Sequence, residues 1–361
     1  MPQEIKRPKP YEMKAASGDV AREALVSTQS VITKIKEEIT KAVASGDEYS
    51  KLTQRLNNII AKHCKAIANE QLREETRKAL VSSAKKWFWQ LGKSVEIYNR
   101  NLEGKTGLVL FTERGQGMYT NSFRPVLTAG NTMSSPLISD YRKQIKIAIK
   151  ALAAEPPKII EPSNGKPYVM SLSLRAEMAV RYEANMENLN ELRAQGVRLA
   201  WTSSHPNASP RCAPYQGRLW SLDGTSGVKN GIKYLPIEVA MRGSTGDGNG
   251  IISGYNCRHR LIEYKDGSSA PKDFTPAEIK KEYEVDQKQR SMENRIRELK
   301  TEERLMRSAG FNEEAAKLRK QWRRETALYK AYSLENNRAF YPYRYIIDET
   351  ESGEGFVDNN N

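Results

Sequence analysis

Cysteine and histidine are both scarce in this chain, with three of each in 361 residues. The odd set Cys64, Cys212 and Cys257 has none of the even spacing of a secreted disulfide framework, and it fits manufacture in a reducing cytosol. Also missing is any run near the roughly 18 consecutive apolar residues of a membrane span. The opening stretch, Met1 to Tyr11, holds lysines and prolines. It lacks the apolar core of roughly seven to fifteen residues that a secretory signal needs. These absences lead us to expect a soluble protein made inside the cell, with no membrane partner.

What the chain has is charge. Hydrophobic residues make up 38% and charged residues 28%, a balance that suits long helices with solvated faces better than one compact globule. Lysine and arginine number 58 against 44 acidic residues, a net +14. Such a surplus favours a polyanionic partner through counterion release, and DNA, RNA or an acidic protein surface would each satisfy it. Because the basic residues are spread along the chain, a solvated basic surface without a specific partner satisfies it equally.

Residues 1–103 read as a helical region. Ile32, Ile35, Ile39 and Val43 recur at spacings of three and four, and a turn at Ser45-Gly46-Asp47 precedes a second helix through Leu56, Ile59 and Ile60. The aromatic cluster Trp87-Phe88-Trp89 follows. It could stack on bases, but no regular pattern of basic residues interleaves it, so helix packing is the expectation. Composition shifts between Gly104 and Thr132, where Leu108 to Thr112 has strand character. Residues 104–198 then form a helical lead-in. One helix opens at Pro136 and a second runs from Met170 to about Gln195, capped by Gly196. Residues 199–268 form a separate module, and residues 269–347 a helical hairpin. The hairpin's first helix starts at a capping box of Thr275, Pro276 and Glu278 and carries the stripe Met292, Ile296, Leu299 and Met306. Its second carries Phe311, Ala315, Leu318, Trp322, Tyr329 and Tyr332. Residues 348–361 read as a disordered acidic tail. The fold class is therefore α+β, mainly α, with long helical segments at both ends around a small central module of short antiparallel strands.

The central module concentrates the chemistry. Trp201-Thr202-Ser203-Ser204-His205 leads to Pro210-Arg211-Cys212-Ala213-Pro214-Tyr215-Gln216-Gly217, then to Gly246-Asp247-Gly248, and finally to Asn256-Cys257-Arg258-His259. His205, Cys212, Cys257 and His259 supply the number and kind of donors a structural zinc site uses. Their spacing departs from common zinc modules, which place two to four residues between paired ligands, so zinc competes with plain packing and hydrogen bonding. A cysteine nucleophile with a histidine base, oriented by Asp247 or Asn256, is a further arrangement, and a metal nuclease using Asp247 another. Neither has a recognisable local signature.

Taken together, these motifs resemble the phage minor capsid protein 2 family, whose broader relatives are the Mu F-like head morphogenesis proteins. In that family the first element reads serine-alanine-histidine. The second reads arginine-proline-serine-histidine before an aromatic-glutamine-glycine, and the last asparagine-cysteine-arginine-histidine. His205, Pro210, Tyr215, Gln216, Gly217, Gly246, Asp247, Gly248, Asn256, Cys257, Arg258 and His259 follow the pattern. Cys212 stands where the family has histidine, Arg211 where it has serine, and Ser209 where it has arginine. Histidine and cysteine both bind zinc, so a metal site would tolerate the first exchange. The likeness spans roughly residues 115 to 335. It implies a low-copy, non-enzymatic head protein of a tailed phage, made in the host cytoplasm and located in the capsid interior. Its implied partners are the portal protein, other head or scaffold proteins and packaged double-stranded DNA, and its implied work is head morphogenesis and DNA packaging or ejection. The competing expectations are a metal-dependent enzyme or toxin-type module, and a free nucleic-acid-binding protein, for which no helix-turn-helix or zinc-finger signature is present.

Overall fold

The computed structural model of the protein describes residues 10–45, 49–106, 136–154, 158–161, 168–243, 250–254 and 257–348. These residues are mainly helical, with a small mixed sheet in the middle of the chain. The helices are α1 (Pro10–Ser45), α2 (Tyr49–Lys65), α3 (Glu70–Thr106), α4 (Pro136–Ala154), α5 (Leu172–Ala194), α6 (Ile237–Arg242), α7 (Pro276–Ser308) and α8 (Asn312–Glu335). The strands are β1 (Lys158–Glu161), β2 (Tyr168–Ser171), β3 (Leu199–Thr202), β4 (Leu219–Ser221), β5 (Gly227–Lys229), β6 (Ile232–Pro236) and β7 (Leu261–Glu263). The chain divides into two compact units, each discontinuous in sequence. One spans residues 1–25, 160–168 and 173–291, the other residues 26–159, 169–172 and 292–361.

In the second unit, apolar residues at helical spacing become a core. Ile35 and Ile39 of α1, Leu52 of α2, Leu80, Trp87 and Phe88 of α3 and Ile149 of α4 are all fully buried there. The aromatic pair Trp87-Phe88 therefore packs, as its surroundings in the sequence suggested. The side chains of Val43 and Trp89, Gly46 and Asp47 of the turn expected after Ser45, the strand expected at 108–112 and the tail after residue 348 lie outside the described residues. The α7 stripe is buried at Ile296, Leu299 and Met306, and Ile296 meets Tyr329 of α8 and Tyr345 in a second small cluster. Those stripes thus pack against one another within the chain.

Three helices stop by the same device. After α5 the Val197 N–H reaches Leu192 O, after α7 the Phe311 N–H reaches Met306 O, and after α8 the Arg338 N–H reaches Ser333 O. At these ends Gly196, Gly310 and Asn337 hold φ of +73°, +82° and +50°. This is the left-handed cap in which a residue tolerant of positive φ lets the last carbonyls be satisfied. The start of α7 is a reciprocal capping box. Thr275 N–H donates to Glu278 Oε2 at 2.7 Å, and Glu278 N–H donates to Thr275 Oγ1 at 3.2 Å.

The first unit holds the five-stranded sheet, in the order β5-β6-β4-β3-β7. Its pairings are antiparallel except β4 with β6, which run parallel. The parallel pair arises because an edge hairpin follows β4: β5 and β6 are joined by Asn230-Gly231, whose φ values of +50° and +78° fit the two-residue turn that matches strand twist. One expected boundary moves. Met170 lies in β2, not in a helix, and α5 begins at Leu172. The aromatic and β-branched pair Tyr168-Val169 favours an extended backbone over a first helical turn.

Candidate functional site

Two turns and a strand end bring the motif residues together inside the sheet unit. After β3 the chain makes a compact run of turns from Pro206 to Gly217. Ser209 O accepts from the Cys212 N–H at 2.9 Å, which puts Pro210 at the second position of a turn, where its fixed φ is favourable. Gly217 closes the run with φ +65°. Thr202 fastens it from the strand side by donating from Oγ1 to Tyr215 O at 2.9 Å, while Trp220 Nε1 donates to the same hydroxyl at 3.3 Å. On the other side, the chain passes Ile251 and Ile252, both buried, and reaches Cys257 just before β7.

Gln216 is the hinge of the arrangement. Its side chain is buried, and its Oε1 accepts from the His205 backbone N–H at 2.9 Å and lies 3.1 Å from His259 Nε2. A main-chain N–H can only donate, so the amide oxygen is fixed at that position and His259 must carry its proton on Nε2. In the neutral imidazole this leaves the Nδ1 lone pair facing Cys257 Sγ, 3.5 Å away. Cys212 Sγ completes the group: the two sulfurs and a His259 ring nitrogen all lie within 4.8 Å of one another. Cys212, Cys257 and His259 are 9%, 4% and 3% exposed, so little solvent reaches them.

The two thiols divide their acidity. A hydrogen bond from Cys257, against the effect of burial and with help from His259, draws Cys212 well below the usual thiol range. The same contact together with burial pushes Cys257 well up. His205 stands alongside, its ring edge-on to that of His259 with centroids 4.8 Å apart and its Nε2 3.1 Å from Ser203 Oγ. It is not within the tight donor group. Tyr215 packs near Trp220, ring centroids 6.3 Å apart, and Arg258 is half-buried. Gly246, Asp247, Gly248 and Asn256 lie outside the described residues, and with them the orienting or nuclease roles considered for Asp247 and Asn256.

Two supporting residues, Asn185 and Ile252, escaped the sequence reading, and a third, Ser203, was visible there only as part of the run ending in His205. Asn185 of α5 donates to Ile252 O at 3.1 Å and Cys257 O at 3.3 Å, and accepts from Arg260 Nη1 at 2.7 Å. Ser203 accepts from the Arg260 N–H at 2.9 Å, joining the start of the motif block to its end. Ile252 sits at φ +71°, an uncommon conformation for a β-branched residue that costs about 1–3 kcal/mol, and so directs its N–H to Cys257 Sγ at 3.1 Å. A polar residue on a helix next to apolar ones was the only trace of Asn185 in the sequence, and nothing local marked Ile252.

A family model described as phage minor capsid protein 2 matches residues 26–332. The match begins well upstream of residue 115, so the amino-terminal helices share in the likeness that the motifs alone confined to the later part. Comparison with curated proteins and with solved structures gives no match. With most of the chain covered by that family model, the protein belongs to the phage minor capsid protein 2 family and is a structural component of the phage head.

Proposed function

We infer that this minor capsid protein works inside the capsid near the portal, in head morphogenesis and in DNA packaging or ejection, touching packaged DNA without sequence preference and performing no catalysis. One observation carries the DNA part of this reading. Lys317, Lys320, Arg323, Arg324 and Lys330 are all exposed on α8, and at 100° per residue they fall within one half of the helix circumference. Basic side chains that looked dispersed along this stretch of sequence thus share one cationic face of the helix. The α8 acids Glu313 and Glu335 are exposed only at the two ends of the helix. A rod of this kind contacts phosphates and carries no base-reading geometry. The enzyme alternative would need a substrate path to the Cys-His group, and those side chains are almost wholly covered.

Two measurements test the reading. Counting copies by quantitative mass spectrometry in heads assembled with and without the portal should give a few copies that disappear when the portal is missing. Unchanged incorporation without the portal would overturn the location. For DNA contact, affinity for duplex of arbitrary sequence should fall steeply between about 50 and 300 mM salt. The triple reversal Lys317→Glu, Lys320→Glu and Arg324→Glu should lower the logarithmic salt slope by about 3. Affinity that is absent or independent of salt would remove DNA from the proposal.

A further inference from the structure

The arrangement around His259 goes further than packing requires. Nδ1 of His259 and Sγ of Cys257 are 3.5 Å apart. Two ligands of a tetrahedral zinc, with a zinc–sulfur distance of about 2.3 Å and a zinc–nitrogen distance of about 2.05 Å, stand about 3.6 Å from each other. Cys212 Sγ lies within 4.8 Å of both, inside which the sulfur–sulfur edge of about 3.8 Å for the same geometry fits. Gln216 fixes the tautomer in the sense a metal needs, with Nε2–H bound to a carbonyl oxygen and the Nδ1 lone pair free to coordinate. That is the outer-shell pattern of metal-bound histidines. A second, independent feature is the Ile252 N–H, held at positive φ and aimed at Cys257 Sγ, which stabilises a thiolate at that position. Among the described residues, no other group of three or more histidine, cysteine or carboxylate side chains gathers in this way.

We propose that Cys212, Cys257 and His259 bind a zinc ion through two thiolates and Nδ1, with the fourth coordination position taken by water or by His205. On binding, any proton still held by the two sulfurs passes to solvent, and the divalent ion with two thiolates and a neutral imidazole leaves the site without net charge. A neutral site suits the depth at which it is buried. The ion would join the turn run after β3 to the segment before β7, two stretches far apart in sequence that the sheet brings side by side. Gln216 is a positioning residue and does not touch the metal.

The test uses the full chain, purified under reducing conditions and free of any histidine tag. Elemental analysis should find one zinc per chain that survives dialysis. Replacement by cobalt should produce the strong visible bands of tetrahedral cobalt together with a thiolate-to-cobalt band in the near ultraviolet. Cys212→Ser and His259→Ala should lose the metal, whereas Cys64→Ser, in the helical unit, should keep it. Gln216→Leu leaves every ligand in place and should weaken zinc affinity by roughly 10- to 100-fold. Should the variants fail to fold, the unaltered chain still decides the matter. A chain that takes up neither zinc nor cobalt overturns the site, as does cobalt bound without the thiolate band. A Cys212–Cys257 disulfide that survives the reducing purification, seen as a chain lighter by two hydrogens until it is unfolded and reduced, would take the place of the metal and overturn the proposal too.

Discussion

A methyl group added at Gly250 would lie 1.9 Å from the carbonyl oxygen of Ala240, a backbone atom that accepts from the Ile251 N–H at 3.0 Å. Gly250→Ala should therefore destabilise the sheet unit by roughly 3 kcal/mol or more, in the range of severe single substitutions, with the midpoint of urea unfolding as the readout. Titrating residues give a second prediction. Tyr329 is buried and donates to Glu293 Oε1 at 2.6 Å, and burial followed by the Glu293 charge raises its pKa above the ordinary 10.0. Its folded pKa exceeds its unfolded one, so its contribution to stability is complete below pH 10.0 and is lost as pH rises further. Glu37 behaves in the opposite sense. Burial pulls its pKa up, but Arg304, Ser308 and Lys41 outweigh burial and hold it below 4.5, so its contribution is lost as pH falls through the folded value. Tyr329→Phe should flatten the alkaline limb of the stability curve and leave the acid limb unchanged. At this scale the sequence exposed the types of residue in the cluster and little of their geometry. Cys212, Cys257 and His259 could be picked out as donors, but the role of Gln216 depends on a main-chain N–H that only folding brings to it.

Elements were the most legible level, because caps and periodicity act over three or four residues. Thr275 and Glu278 exchange the two hydrogen bonds that their spacing implied, and Gly196 takes the positive φ that ends α5. Thr275→Ala should cost about 1 kcal/mol of α7 stability, most visibly as faster amide exchange in the first turn, and unchanged exchange there would argue against the box. The edge hairpin could have been read as well, since Asn-Gly between short β-branched stretches is a strong local turn signature. The parallel pairing of β4 with β6 could not. Pairing between strands separated by a hairpin depends on which edge the ribbon docks to, and no local pattern encodes that. Met170 illustrates the same limit at an element boundary, where a strand residue sits one turn ahead of a helix whose apolar pattern is continuous with it.

For the whole molecule, family membership accounts for both the amino-terminal helices and the motif module, while the cationic face of α8 emerged only when residues 317 to 330 were wound into a helix. One local closure has a practical result at this scale. A Cβ built on Gly250 would approach the Gly243 nitrogen to 2.7 Å, and Gly250 N–H donates to Met241 O at 3.0 Å. Gly243 and Gly250 thus stand side by side. Closing a longer loop between fixed, touching ends adds only about 0.6 kcal/mol for each doubling of its length. A short epitope placed between Ser244 and Thr245 should leave the unfolding midpoint almost unchanged, and a large drop would show that this stretch carries contacts of its own. Such a tagged chain would let antibody labelling of intact and emptied particles report whether the protein stays behind or departs with the genome.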